Sequence, residues 1–65
     1  MRTCKGRYID ENLKIHDFKL GYFHQFGFES SEYGNYSIAI VELEDGKIIT
    51  PSANQITFLD KKREV

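Results

Sequence analysis

Tyr36-Ser37-Ile38-Ala39-Ile40-Val41-Glu42-Leu43-Glu44-Asp45-Gly46-Lys47-Ile48-Ile49-Thr50 is the stretch on which the fold depends. β-Branched residues crowd both sides of Glu44-Asp45-Gly46-Lys47, and such side chains suit a pleated, half-buried strand. Asp-Gly between two runs of this kind favours the positive φ angles of a two-residue type I′ turn. The stretch therefore reads as a β-hairpin with Asp45-Gly46 as its loop. That register sets Glu44 opposite Lys47, Leu43 opposite Ile48, Glu42 opposite Ile49 and Val41 opposite Thr50. Ala39, Val41, Leu43 and Ile48 then share a core face, while Glu42 lies on the other side with Ile38, Ile40 and Ile49. So apolar a second side must be covered by another part of the chain or stand open as a contact surface.

Downstream, Pro51 interrupts pairing, Ser52-Ala53-Asn54-Gln55 reads as one helical turn, and Ile56-Thr57-Phe58-Leu59 returns as a short strand with Ile56 and Phe58 pointing inward. Val41, Leu43, Ile48, Ile56 and Phe58 are expected to be buried together. Upstream, Leu13, Ile15, Phe18 and Leu20 are interleaved with charged residues, and Tyr22 to Phe28 holds four aromatics, so two further strands are expected there. Cys4 to Ile9 supplies an edge strand, and Phe28 to Asn35 reads as a long loop entering the hairpin. No useful window shows an apolar period of 3.6 residues, and only Lys14 to Gln25 leaves room for a helix.

This order of elements resembles the closing sequence of a Src-homology-3-like fold. The expected architecture is mostly β: a small barrel of about five short strands with one short helical turn before the last strand. At 65 residues, a chain buries only about 60% of the surface its unfolded form exposes, so one domain spanning residues 1–65 is expected. The composition, 40% hydrophobic and 29% charged, is that of an ordinary globular domain. No apolar run approaches the roughly 18 residues that cross a bilayer, and the charges of Arg2, Lys5 and Arg7 are followed by no apolar stretch. A cytoplasmic protein in a bacterial host cell, with no membrane partner, is expected.

Gly21-Tyr22-Phe23-His24, Ala39-Ile40-Val41-Glu42-Leu43-Glu44-Asp45-Gly46 and Ile56-Thr57-Phe58-Leu59 together resemble short uncharacterised accessory proteins from phages and prophages of Gram-positive bacteria. The resemblance spans roughly Gly21 to Asp60 and rests on structural positions that any small barrel would select. It carries over no catalytic or ligand residue. It implies a small accessory protein of a mobile element that acts by binding a host protein, and a free-standing product beginning at Met1.

Cys4, His16 and His24 are the only soft or borderline metal ligands, and their spacing fits neither a helical His pair nor a zinc knuckle. One cysteine makes no intramolecular disulfide. No nucleophile, base and orienting acid can be assembled, no glycine-rich phosphate loop is present, and no cleft is expected for a carboxylate pair. No metal, no cofactor and no catalytic residue are therefore assigned, and the chain reads as a non-enzyme.

The aromatic group stands furthest above background. On a regular strand Tyr22, His24, Phe26 and Phe28 share one face and Phe23 and Gln25 take the other. Tyr33 and Tyr36 sit on or beside the expected loop, where tyrosine gives rigid contact area typical of interface anchors. The competing reading is that these rings fill a core that lacks Trp. Charge is uneven beneath a net value of -1. Glu29, Glu32, Glu42, Glu44 and Asp45 dominate the middle, and Arg2, Lys5, Arg7, Lys61, Lys62 and Arg63 sit at the ends.

Two functions follow. The first is a module that binds or inhibits a protein, for instance a basic nucleic-acid-binding host protein, through Tyr22, His24, Phe26, Phe28, Glu29, Glu32, Tyr33, Tyr36, Glu42 and Glu44. The second is a nucleic-acid-binding barrel that uses Arg2, Lys5, Arg7, Lys61, Lys62 and Arg63. The pI near 6.1 disfavours the second, because neutralising a phosphate backbone calls for a basic domain. A monomer or a weak homodimer is expected.

Overall fold

The computed structural model describes residues 2–59. Five strands run in the order β1 (Arg2–Ile9), β2 (Ile15–Ser31), β3 (Gly34–Leu43), β4 (Ile48–Ile49) and β5 (Ile56–Phe58), and a 3-10 turn (Ala53–Gln55) precedes β5. All pairings are antiparallel, and the spatial order is β4-β3-β2-β1-β5. The two outer strands do not pair with each other, so the expected barrel is seen as one open sheet. The mostly-β class, the helical turn before the last strand and a strand over Cys4 to Ile9 agree with the sequence reading, but β1 lies between β2 and β5 rather than at the expected edge.

β2 is a single strand of 17 residues where two strands were expected. It bends at two irregularities. Lys19 and Leu20 together face only Lys5 on β1, and His24 is an extra residue against β3, between the pairs Phe23↔Val41 and Gln25↔Ile40. Each insertion bends the strand and increases its twist, which lets one long strand serve both halves of the sheet. Phe18 is buried between exposed Asp17 and Lys19, the two-residue period of a strand, and this excludes a helix over Lys14 to Gln25.

Cys4, Phe18, Ala39, Val41 and Ile49 form the core, with Tyr8, Phe23, Leu43, Ile56 and Phe58 packed against them. Phe23 anchors the middle, its ring 5.1 Å from Phe58 edge-on and 4.7 Å from Phe26. The chain passes from β4 to β5 over β1 at Gly6, where a Cβ would collide with the carbonyl oxygen of Gln55. Only glycine permits that approach.

The register of the β3–β4 hairpin corrects the sequence reading by one residue. Val41 pairs with Ile49 and Glu42 with Ile48, and the Leu43 N–H donates to the Lys47 carbonyl at 2.8 Å. The loop is therefore Glu44-Asp45-Gly46. A type I′ turn needs positive φ at both central residues, yet in this loop only Gly46 has it, at +91°. The Asp45 carboxylate accepts from the Lys47 N–H instead. Ile49 is consequently 5% exposed and Ile48 54%, so Ile48 leaves the expected core and Ile49 enters it. Ala39, Val41 and Leu43 stand on the core side as expected, with Ile56 and Phe58. On the opposite side Ile38 is buried and bridged to Ser52, while Ile40 is half-buried.

Phe28 to Asn35 is not a long loop. Pairing continues through Phe28↔Ser37, Glu29↔Tyr36, Ser30↔Asn35 and Ser31↔Gly34, leaving Glu32-Tyr33 as the turn. The Ser31 hydroxyl donates to the Gly34 carbonyl at 3.0 Å and accepts from the Tyr33 N–H at 3.1 Å. The Ser30 hydroxyl donates to Asn35 Oδ1 at 2.9 Å. Serine and asparagine, which read as loop formers, here close the end of a hairpin through their side chains.

Candidate functional site

Among the described residues β1 pairs with β2 as far as Arg2↔Phe23. On the other side, β3 is held by β4 and by the contacts of Ile38 with Ser52 and of the Ala39 N–H with the Pro51 carbonyl. Beyond those points, and among the described residues, Gln25 to Ser31 pair only with β3 and Gly34 to Ser37 only with β2, and they form a two-stranded arm. Residues directly opposite in a ladder point to the same side, so the pairing assigns every side chain of the arm to a face.

The extra residue at His24 splits the row of aromatics that was expected on one face. Phe26 opposes Ala39 and Phe28 opposes Ser37, on the same side as Phe23 and Val41. Tyr22 opposes Glu42, and His24 Nε2 lies 3.0 Å from Glu42 Oε1, which places both on the reverse side. Gln25, Ile40, Gly27, Ile38, Glu29 and Tyr36 continue that reverse side toward the tip. The strip thus runs from Tyr22, His24 and Glu42 to Glu29 and Tyr36, with Glu32 and Tyr33 at its end. Glu44 stands apart in the β3–β4 loop, at the opposite end of β3.

These aromatics do not fill the core. Phe26 is 54% exposed, Phe28 78%, Tyr33 92% and Tyr36 43%, while the core closes around other rings. The Tyr36 hydroxyl donates to Glu29 Oε1 at 2.7 Å. That hydrogen bond stabilises the protonated phenol and, with some desolvation and the carboxylate charge, pushes the Tyr36 pKa up. Tyr36 and Glu29 also border a cleft of about 490 Å³ whose other walls include Arg7, Ile15, Pro51 and Gln55. No cleft was expected from the sequence, because its walls come from four segments, β1, β2, β3 and residues 50–55, that only the folded sheet brings together. Gln25 and Glu29 likewise join the strip only through the insertion at His24, which no residue type signals.

Among the described residues, Arg2, Lys5 and Arg7 do not form one patch. Arg2 opposes Phe23 on the core side, with its guanidinium 3.6 Å from the centre of the Phe58 ring. Arg7 lies on the other side of β1 with its Nε 3.4 Å from Asp17, and Lys5 is exposed opposite the irregularity in β2. Lys61, Lys62 and Arg63 lie outside the described residues.

The metal-ligand types are each engaged elsewhere. Cys4 is fully buried, and burial pushes its thiol pKa up. His16 stacks on Tyr8 with ring centres 5.1 Å apart, and its Nε2 is 2.7 Å from Asp10 Oδ2. Among the described residues no three of His, Cys, Asp or Glu gather as a metal site, and no helix is long and apolar enough to cross a membrane. Set beside models of known protein families, curated proteins and solved structures, the chain matches none of them.

Proposed function

We propose that the protein is a non-enzymatic binding module, an accessory protein of phage or prophage type that engages or inhibits a host protein through the β2–β3 arm. The observation that carries this reading is the exposure of Phe26, Phe28, Tyr33 and Tyr36 on an arm that the core does not need. Large rings held in solvent on a paired backbone lose little entropy on docking, which suits interface anchors. Tyr33 and Tyr36, with Glu29, Glu32 and Glu42, present carboxylates beside aromatic surface and are complementary to a basic partner. The cleft beside Tyr36 gives such a partner a concave seat. The strand order, with a 3-10 turn before the last strand, supports reading the open sheet as a Src-homology-3-like barrel.

The test compares capture of proteins from a bacterial lysate by the wild type with capture by a variant carrying Tyr33→Ala, Tyr36→Phe, Glu29→Gln and Glu32→Gln. The expected result is loss of the captured protein at unchanged melting temperature, together with weakening of wild-type capture as salt rises, since exposed charges are screened over about 8–10 Å at physiological ionic strength. A gel-shift with DNA and RNA at low salt runs alongside. Tight nucleic-acid binding lost on neutralising Lys61, Lys62 and Arg63 overturns the proposal and favours the nucleic-acid reading.

A further inference from the structure

The strip described above is one face of the arm; its edge and its other face have a separate property. Among the described residues β1 reaches as far as Phe23, and from Gln25 to Ser31 no described strand lies beside this edge of β2. An open edge of this length is a template for another strand, and proteins guard such edges with Lys or Pro. His24-Gln25-Phe26-Gly27-Phe28-Glu29-Ser30-Ser31 contains neither. Phe26 and Phe28 stand on the core side of this same lane, 54% and 78% exposed.

We infer that a second copy of this chain adds to that edge, β2 against β2, antiparallel about a two-fold axis at Phe28. The two-fold keeps the core sides of both copies together, so each residue of the lane meets a counterpart on the same face. The position of the axis is bracketed. Centring one residue earlier, on Gly27, would set the partner's Ser31 opposite Phe23, where Arg2 already pairs. Centring one residue later would set Glu29 opposite the partner's Glu29, and like charges directly opposite are destabilising. At Phe28 the lane fills to its end: Phe28 meets Phe28, Gly27 meets Glu29, Phe26 meets Ser30 and Gln25 meets Ser31. No like charges are opposed, and Phe26 lies diagonal to the partner's Phe28, within aromatic reach. The contact covers the largest exposed rings of the core side while leaving Tyr33, Tyr36, Glu29 and Glu32 accessible. With a lane this short, a reversible, concentration-dependent dimer is expected.

Analytical ultracentrifugation of the wild type from micromolar to millimolar concentration, beside Phe28→Lys and Asn35→Lys, the latter on β3 and away from the edge, tests the inference. The expected result is a concentration-dependent dimer for the wild type, a monomer for Phe28→Lys with unchanged melting temperature, and association retained by Asn35→Lys. Only an axis at Phe28 sets the Phe28→Lys ammonium groups face to face. Phe28→Cys should also form an intermolecular disulfide under mild oxidation, because directly opposed residues lie within disulfide reach, whereas Phe26→Cys should not. The buried Cys4 supplies the background. A wild type that stays monomeric throughout, or a Phe28→Lys variant that associates like the wild type, overturns the inference. Neither outcome bears on the lysate capture, whose variants leave Phe28 in place.

Discussion

The two ends of β3 live in different proteins, physically speaking. Its second half, Ala39 to Leu43, is flanked by β2 and β4, and Ala39 and Val41 are fully buried there. Its first half, Gly34 to Ser37, has β2 alone beside it, and every residue is exposed. The same contrast divides the phenylalanines of β2: Phe18 is 8% exposed and Phe28 78%. A two-stranded ribbon is marginal in water without a covered face, so the arm borrows its order from the sheet at its base and contributes little in return. The division separates residues that make the fold from residues free to serve an interface.

The strongest way to break this comparison is to truncate one ring on each side of it. Phe18→Ala should cost about 3–5 kcal/mol, comparable to the total stability of a domain this small, and should leave the chain largely unfolded. Phe28→Ala should stay within about 0.5 kcal/mol of the wild type. Urea unfolding followed by circular dichroism measures both, and equal costs would erase the distinction between arm and core.

A similar contrast sharpens the picture within β4, where neighbouring isoleucines face opposite ways. Ile49→Ala should cost about 2–5 kcal/mol, and Ile48→Ala should lie within about 0.5 kcal/mol of the wild type. The reverse order would restore the two-residue loop, since a shift of one residue exchanges the faces of a strand.

That pair also shows why the sequence was legible only in part. β-Branched runs around Asp45-Gly46 are enough to identify a hairpin, and Ile56-Thr57-Phe58 after a Pro-initiated turn is enough to identify the closing strand. The class of loop is not legible, because Asp-Gly serves both the two-residue turn and the three-residue loop in which glycine alone takes positive φ. The arm was hidden by composition: Phe28 to Asn35 looks like a loop until Phe26 and Phe28 are set opposite Ala39 and Ser37 across Glu32-Tyr33. The insertion at His24 follows from pairing with β3, a contact distant in sequence, so the division of the candidate site between two faces had no local signature.

The smallest expected effect lies at the far end of β1, in its turn into β2. Asp10 Oδ1 accepts the N–H groups of Asn12 and Lys14, and Oδ2 approaches His16. These interactions, led by the Lys14 N–H, hold the Asp10 carboxyl below the usual carboxylate range. With the folded-state pKa depressed, the contribution to stability is present above the ordinary carboxylate pKa and fades as the pH falls through the folded value. Asp10→Asn should therefore lower the melting temperature slightly at neutral pH, and the gap should close in acid. A gap that widened in acid would contradict the geometry of the turn.

The seam between β1 and β5 has a consequence in time. Every other ladder joins segments that follow one another along the chain, whereas Cys4↔Phe58 and its neighbours join segments separated by nearly all of it. Closing so long a loop costs chain entropy before any contact repays it, which makes such pairings late and rate-limiting. The hairpins are expected to assemble first and the seam to close last. Opening of the seam is what brings Cys4, fully buried in the closed sheet, within reach of a thiol reagent. The rate at which that thiol is labelled becomes a clock for how often the sheet comes undone.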